Sequence, residues 1–102
     1  MVTSVEGDVL RVLADPLRRR IVELLAREQL CTCHIVEDTG ARQTNVSNHL
    51  RALREAGLVD TEACGRFTYY RLLPEGLEAL ATDSAGLAAA ARQASAVRRP
   101  CG

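Results

Sequence analysis

The feature that constrains this chain most is one continuous stretch, residues 31–59, which reads CTCHIVEDTGARQTNVSNHLRALREAGLV. Two cysteines separated by one residue begin it, and a short segment with a Gly40 turn leads into a long helical pattern. In that pattern Val46, Leu50 and Leu53 recur at helical spacing and form one narrow apolar stripe. The stretch therefore predicts a short helix, a turn and a longer helix that buries a single face.

The composition favours a helical core. The chain has 102 residues, enough for one domain, and only 3% of them are aromatic, with no Trp. Leu, Val, Ile and Ala must therefore build the core, and a small domain of this kind often completes its core by dimerising. No run approaches the roughly 20 apolar residues that span a bilayer, and the N-terminus MVTSVEGDVL has no signal-peptide pattern. We expect a cytoplasmic protein that does not enter a membrane.

Three helices are predicted up to the Gly40 turn. Apolar spacing predicts the first at residues 5–13. Asp15 is a good N-cap and Pro16 suits a first helical position, so a second helix is predicted at residues 16–27. A third, short helix is predicted at residues 32–38.

A hairpin and a last helix follow the central stretch. Residues 58–62 and 67–72 are β-prone, and Gly65 between them supplies the positive φ of a tight turn. A last helix begins at Pro74 and its pattern fades after residue 91. The chain is accordingly divided into a folded domain, residues 1–92, and a flexible tail, residues 93–102.

The order of the elements predicts a winged helix-turn-helix: a short helix, a turn, a longer helix and then a hairpin. The expected fold is mainly α with a small β-hairpin. The second helix of such a unit lies in the major groove of DNA, and its N-terminal half touches base edges. Gln and Asn can pair with adenine, Ser and Thr reach bases or phosphates, and Arg binds phosphates. The alternative, an ordinary solvent-exposed helix, is less consistent with the order of the elements, although the net charge of zero counts weakly against DNA. The residues predicted to contact double-stranded DNA are Arg42, Gln43, Thr44, Asn45, Ser47, Asn48, His49, Arg51 and, at the hairpin tip, Arg66.

Cys31 and Cys33 indicate a site for a soft metal or metalloid ion. Disulfides are rare in a reducing cytosol, and we expect this pair to be too close in sequence for an unstrained bridge. Thiolates suit thiophilic ions, but trivalent arsenic and antimony generally take three sulfurs, so a third ligand is needed. Cys101 on the tail is favoured by its reach, with Cys64 near the hairpin tip as the alternative and an exogenous ligand as a further option. His34 is expected to be a surface histidine and not a ligand.

The spacing of the two cysteines suggests how an ion would act. Side chains two residues apart on an α-helix point about 200° apart, so both cannot bind one ion while both are helical. Ligation is therefore expected to unwind the start of the third helix or to lock it in a non-helical form, and this helix braces the longer helix.

Three segments, LADPLRRRIVELL, TNVSNHLRALREAGLV and GRFTYYRL, closely resemble the ArsR/SmtB family of metal-sensing transcriptional repressors. The resemblance implies a winged-helix homodimer whose first and last helices form the interface, and a metal-free protein that ion binding releases from its operator. LCTCHIV is similar to the ELCVCDL-like segment of arsenic-responsive relatives, which implies trivalent arsenic or antimony as the inducer. Two departures are Arg42, where relatives usually carry Ser, and the absence of a third Cys a few residues after Cys33.

Alternative functions remain open at this point. The chain resembles no enzyme, since it carries no catalytic constellation, and we predict that it is not one. A sensor of cadmium or lead, a thiol redox-responsive repressor and a metal-independent DNA-binding module are the competing hypotheses. A zinc site on the last helix is not expected, because that helix carries Glu78 and Asp83 but no His.

Overall fold

The computed structural model describes residues 5–101, with side chains from residue 9 onward. Residues 1–4 of the predicted domain and Gly102 of the predicted tail lie outside the described residues. No described helix is both long and apolar enough to cross a membrane. The elements follow in the order α1 (Val5–Leu13), α2 (Pro16–Leu25), β1 (Leu30–Cys31), α3 (Thr32–Thr39), α4 (Gln43–Glu55), β2 (Val59–Cys64), β3 (Phe67–Leu72) and α5 (Pro74–Ala94).

Local signals in the sequence set the helix ends. The Asp15 carboxylate accepts a hydrogen bond from the backbone N–H of Arg18 at 3.0 Å, and so caps α2 as predicted. Gly40 ends α3 with a φ of 70°, and Gly57 follows α4 with a φ of 76°. Both glycines take the left-handed conformation that commonly terminates a helix. The predicted helices are confirmed; α2 ends two residues earlier than expected, and α5 continues to Ala94, three residues beyond the point where its pattern fades.

The core is aliphatic, as the composition predicts. The apolar stripe of α4 packs inward against α2, α3 and the sheet. The side chains with less than 2% exposure are Val9, Ile21, Ile35, Val46, Leu50, Leu53 and Leu58. Replacing any of these large side chains by alanine would lose apolar contacts on all sides.

The sheet has three strands, and the sequence predicted only two of them. The hairpin strands β2 and β3 pair from Val59↔Leu72 to Cys64↔Phe67. Gly65 has a φ of 62° at the first position of the two-residue turn. The third strand, β1, pairs with the other edge of β3, so the strand order is β1-β3-β2. The expected fold, mainly α with a winged hairpin, is confirmed with this added strand.

Helix α5 packs at its start and projects at its end. Gly76 approaches α1 and the core closely, since a Cβ there would lie 3.0 Å from a methyl carbon of Leu58 and 3.5 Å from one of Val9. From Ala81 to Ala94 every residue is exposed, and the protomer is 65 Å long. Helix α5 has 21 residues and therefore spans roughly 30 Å. Much of its surface extends beyond the body of the protomer. Helix α5 ends at Ala94, after which residues up to Cys101 have no regular structure; the division at residue 92 stays a prediction.

Candidate functional site

The first surface of interest is the N-terminal half of α4, where DNA contacts were predicted. Gln43, Thr44, Asn45 and Asn48 are exposed, and Ser47 is half-buried. Thr44 and Asn48 lie nearly opposite the buried stripe of α4, and Gln43, Asn45 and Ser47 flank that stripe. Arg42 is the N-cap of the helix, and its side chain does not bond to the helix end. These side chains therefore remain available to an external partner.

The arginines divide into engaged and available groups. Arg19 and Arg20 both pair with Glu23 on α2, and the Arg71 guanidinium lies 3.1 Å from the Asp60 carboxylate. Within the described residues, by contrast, no hydrogen bond or ion pair engages the side chains of three predicted phosphate contacts. These three are Arg42, Arg51 and Arg66. The acidic residues Glu23 and Asp60 thus pair with arginines on α2 and β3. The surface that carries Arg42, Arg51 and Arg66 keeps its positive charge, although the net charge of the whole chain is zero.

The side chain of His49 points from α4 toward the start of α2 and not toward the exposed surface of α4. Its Nδ1 accepts a hydrogen bond from the Arg18 Nε at 3.0 Å, and its Nε2 lies 3.7 Å from the Asp15 carboxylate. The side chain is only 16% exposed. These contacts join α4 to the start of α2. The structure therefore gives His49 a positioning role between the helices, which the sequence pattern did not indicate.

Cys31 and Cys33 converge at the junction of β1 and α3. Their Cα atoms are 5.5 Å apart and their sulfurs are in direct contact, as in a disulfide. The Cα separation lies within the range that disulfides span, so the two cysteines are close enough for a bridge, and the expectation that such a bridge would not be unstrained stays untested. Cys31 is the N-cap of α3, with extended backbone angles, φ −87° and ψ 167°. Only Cys33 is helical, so the two side chains meet without any unwinding of α3.

His34 completes a cluster with the two cysteines. The Sγ of Cys31 and the Nδ1 of His34 are 3.2 Å apart, and the donor atoms of all three residues lie within 4.8 Å of one another. Cys31 is buried, His34 is half-buried and Cys33 is exposed. Among the described residues, no other three His, Cys, Asp or Glu side chains bring their ligand atoms this close together. The structure thus places His34 beside both cysteines, and the expectation that it is a surface histidine and not a ligand stays a prediction.

The other two cysteines lie apart from this cluster. Cys64 is exposed at the end of β2 and Cys101 is exposed beyond α5. Neither belongs to the group formed by Cys31, Cys33 and His34 within the protomer. Their proposed role as third ligand stays a prediction.

One groove connects the cysteine cluster to the predicted DNA-contacting residues. Cys31 and Cys33 line it on one side, and Gln43, the first residue of α4, lines it with Arg66 at the wing tip. Phe67, 56% exposed, lies in the same groove. A ligand bound at the cysteines would therefore lie beside both α4, which we call the reading helix, and the β2–β3 hairpin, which we call the wing.

Comparison with known proteins agrees with this arrangement. A family model described as bacterial regulatory protein, arsR family, matches residues 15–61. The arsenic resistance transcriptional regulator ArsR1 of Pseudomonas putida is 43% identical over 68 residues, which cover 66% of this chain and 53% of that protein. This chain therefore spans about half the length of that relative.

Two solved structures share the fold. One, described as a possible transcriptional regulator for arsenical resistance, is 36% identical, with a TM-score of 0.72 over 90% of this chain and 98% of its own. The other is a homodimeric winged helix-turn-helix DNA-binding domain from Mycobacterium bovis, a possible ArsR-family regulator. It is 29% identical, with a TM-score of 0.66, and the match covers 79% of this chain and 76% of that one.

The fold and the exposed face of α4 define a winged helix-turn-helix protein. Within that class, the chain belongs to the ArsR family of bacterial regulatory proteins. Members of this family are regulators and not enzymes, in agreement with the prediction that the chain is not an enzyme.

Proposed function

We propose that this protein is a transcriptional repressor that binds operator DNA when free of inducer and releases it when trivalent arsenic or antimony binds Cys31 and Cys33. The observation that carries the proposal is the groove in which both cysteines lie beside Gln43 and Arg66. The relatives described as arsenic resistance regulators support the choice of inducer. A protein with this role acts in the cytoplasm, where the bacterial DNA is.

The DNA-binding surface of the proposal combines base reading with phosphate contacts. Asn45, Asn48 and Gln43 are exposed on α4 and carry amides that can pair with adenine edges in the major groove. Arg42, Arg51, Arg66, Thr44 and Ser47 complete the proposed contacts with the backbone or bases. His49 contributes by holding α4 against α2 through Arg18.

The chemistry of the cysteine pair suits arsenous acid, the hydroxide of trivalent arsenic. Each thiol that binds arsenous acid replaces one hydroxide, which leaves as water together with the thiol proton, so no oxidant or reductant is consumed. The side chains of Cys31 and Cys33 already converge, so both can bind one arsenic atom without prior unwinding of α3. The proposed third protein ligand is Cys101 or Cys64, unless solvent completes the site.

Release of DNA follows if the ion-bound site favours a different position of the wing or of α4. Allostery of this kind is a coupling free energy, so the inducer must bind the DNA-free form more tightly, and DNA must weaken inducer binding by the same factor. Two thiolates neutralise much of the charge of a bound ion. Release is therefore attributed to altered geometry in the shared groove and not to charge repulsion.

The reading unit is proposed to be a homodimer through α1 and α5. These helices pack against each other, and Leu10 and Leu87 on them are 59% and 67% exposed. The homodimeric relative from M. bovis supports this assembly. Two reading helices related by a two-fold axis would bind two half-sites about one helical turn of DNA apart.

The proposal is tested with operator duplex selected from random-sequence DNA by the reduced, metal-free protein. Fluorescence anisotropy should then show that sodium arsenite raises the Kd for this duplex at least tenfold. The double variant Cys31→Ser, Cys33→Ser should bind the duplex but no longer respond to arsenite, and Ser95→Ala, just after the end of α5, is the matched control that still responds. Retained DNA binding by the wild type at saturating arsenite and antimonite contradicts the proposal.

The contact between the two sulfurs supports a second candidate, a redox-responsive repressor. Hydrogen peroxide would convert the two thiols to a disulfide with release of two water molecules. Release of the duplex by peroxide but not by arsenite, reversed by dithiothreitol and absent in the Cys33→Ser variant, would favour this candidate. Release by cadmium alone would instead favour a sensor of a divalent ion.

A further inference from the structure

We infer that the imidazole of His34 is the third protein ligand, so that the cluster of Cys31, Cys33 and His34 binds a thiophilic divalent cation such as Cd²⁺ through two sulfurs and one nitrogen. This inference rests on the ion site of the proposed function, but it does not depend on what the ion does to DNA binding. For a divalent cation it assigns to His34 the place that the proposed arsenic site gives to Cys101 or Cys64.

The distances fit a single ion. On a tetrahedral zinc ion with bonds of 2.0–2.3 Å, two donor atoms lie roughly 3.5–3.8 Å apart. The Sγ of Cys31 and the Nδ1 of His34 are 3.2 Å apart, and all three donors lie within 4.8 Å of one another. Reduction of the contact between the two sulfurs allows them to separate, and movements of roughly 1 Å would then bring the three donors onto a common ion.

The local fold holds the imidazole in this place. Cys31 is the N-cap of α3 and His34 is three residues later, and the two form a capping box. The His34 Nδ1 accepts the backbone N–H of Cys31 at 3.3 Å, which turns the ring back toward the start of the helix. The ring of Tyr69 on β3 lies on another side, with centroids 6.1 Å apart. The imidazole is therefore oriented before any ion arrives.

The tautomer of His34 also suits ligation. A nitrogen that accepts a backbone N–H carries a lone pair, so the ring proton of the neutral imidazole is on Nε2. The Nδ1 lone pair, which faces the Cys31 sulfur, is the one an ion would take. Ligation through Nδ1 replaces the hydrogen bond from the Cys31 N–H, so the contact that orients the free ring is exchanged for a bond to the ion.

The donor set determines the class of ion. Two thiolates and one imidazole are ligands typical of tetrahedral Zn²⁺ and of other thiophilic divalent ions. Trivalent arsenic prefers three sulfurs, so it gains less from His34. The fourth position lies open, since Cys33 is exposed in the groove beside Thr32 and Gln43.

The test uses the reduced full-length protein with cadmium chloride alone. Affinity is measured by competition with a chelator, and X-ray absorption counts the sulfur and nitrogen neighbours of the ion. We expect two sulfurs and at least one nitrogen in the wild type. His34→Gln should lower the Cd²⁺ affinity at least tenfold, since even residues that merely support a ligand contribute about that much. His34→Gln keeps a side chain that can complete the capping box, so loss of helix structure is not the cause.

Matched cysteine variants separate the possible failures. Cys101→Ser and Cys64→Ser should leave the Cd²⁺ affinity unchanged, and His34→Cys should raise the affinity for arsenite by supplying a third sulfur. Unchanged Cd²⁺ affinity in His34→Gln overturns the inference and leaves the two-cysteine site intact. A tenfold loss in Cys101→Ser overturns it in favour of the tail. Unchanged ion binding in the double variant Cys31→Ser, Cys33→Ser instead contradicts the ion site of the proposed function.

Discussion

Cys31 pairs with Tyr69 in the β1–β3 ladder, so the first cysteine of the proposed ion site and the wing belong to the same sheet. The next residue, Thr32, begins α3, which packs against α4. A change in the backbone at Cys31 can therefore reach the wing through the ladder and the reading helix through α3. Because both routes are short and consist of paired or packed backbone, no long-range network is needed for coupling.

The turn of the wing offers a test of its role in DNA binding. Gly65 has a φ of 62°, and a Cβ there would meet no atom within 4 Å, so a substitution acts through backbone conformation alone. Gly65→Val should cost about 1–2 kcal/mol in the hairpin and weaken DNA binding, because the turn presents Arg66. Fluorescence anisotropy measures the affinity. Ala63→Ser, on the exposed part of β2, is the control because it leaves the turn intact, and equal affinities for all three proteins would exclude Arg66 from the DNA contacts.

Substitutions on the exposed face of α4 should lower the affinity for DNA without lowering the Tm of the protein. Asn45 and Asn48 are exposed on α4, so replacing either with Ala removes a proposed base contact but no core contact. We expect each variant to lose about 1–3 kcal/mol of binding free energy, roughly 5- to 150-fold in Kd, with an unchanged Tm. His49→Ala is the contrasting variant: it loses the hydrogen bond with Arg18 and should lower Tm as well. Unchanged affinity in both Asn variants would contradict the proposed reading surface.

Much of the fold follows from signals that are local in sequence. Asp15, Gly40 and Gly57 determine helix ends through bonds and φ values that depend on neighbouring residues only. The stripe of α4 is visible as a 3.6-residue period because burial imposes that period. By contrast, β1 is two residues long and exists only because it pairs with β3, some forty residues later. A strand that short has no period of its own to detect.

The candidate site was less predictable than the fold, because its geometry depends on contacts between residues that are distant in sequence. The pair Cys31 and Cys33 was found from spacing alone, but its geometry depends on Cys31 being extended and not helical, which β1 determines. The position of His34 was a detectable signal, since a side chain three residues after an N-cap can close a capping box. That signal was missed because His is not the usual residue there. The inward direction of His49 follows from the packing of α4 on α2, which the polarity of α4 does not indicate.

The aliphatic core should be sensitive to truncation. Leu53 is fully buried on α4 between helices and sheet. Leu53→Ala should lower the free energy of unfolding by about 2–5 kcal/mol, through lost burial and the cavity that remains. Urea denaturation followed by circular dichroism measures the change. Thr44→Ala on the exposed face of the same helix is the control, and a loss below 1 kcal/mol for Leu53→Ala would mean that this core collapses to fill the cavity.

The projecting half of α5 provides a test of the homodimer. Leu87 is 67% exposed in the protomer, and an apolar side chain at a dimer contact tolerates a charge poorly. We expect Leu87→Glu to convert the dimer to a monomer in sedimentation equilibrium and to weaken DNA binding, because a monomer reads only one half-site. Glu75→Gln, on the first turn of α5, is a control that should remain dimeric. A dimer of unchanged stability in Leu87→Glu would exclude this part of α5 from the interface.

The cap of α2 predicts how stability responds to acid. The backbone N–H of Arg18 donates to the Asp15 carboxylate, and this bond, with the nearby His49 and Arg18 side chains, lowers the pKa of Asp15 below its ordinary value. A carboxyl whose pKa is lower in the folded state stabilises the protein fully above its unfolded pKa, about 3.9, and loses that contribution as the pH falls through the folded pKa. Asp15→Asn keeps the cap but does not titrate. Its stability in urea should therefore fall less steeply than that of the wild type below about pH 4. Identical acid dependence in the two proteins would show that Asp15 is not held as a carboxylate by the helix start.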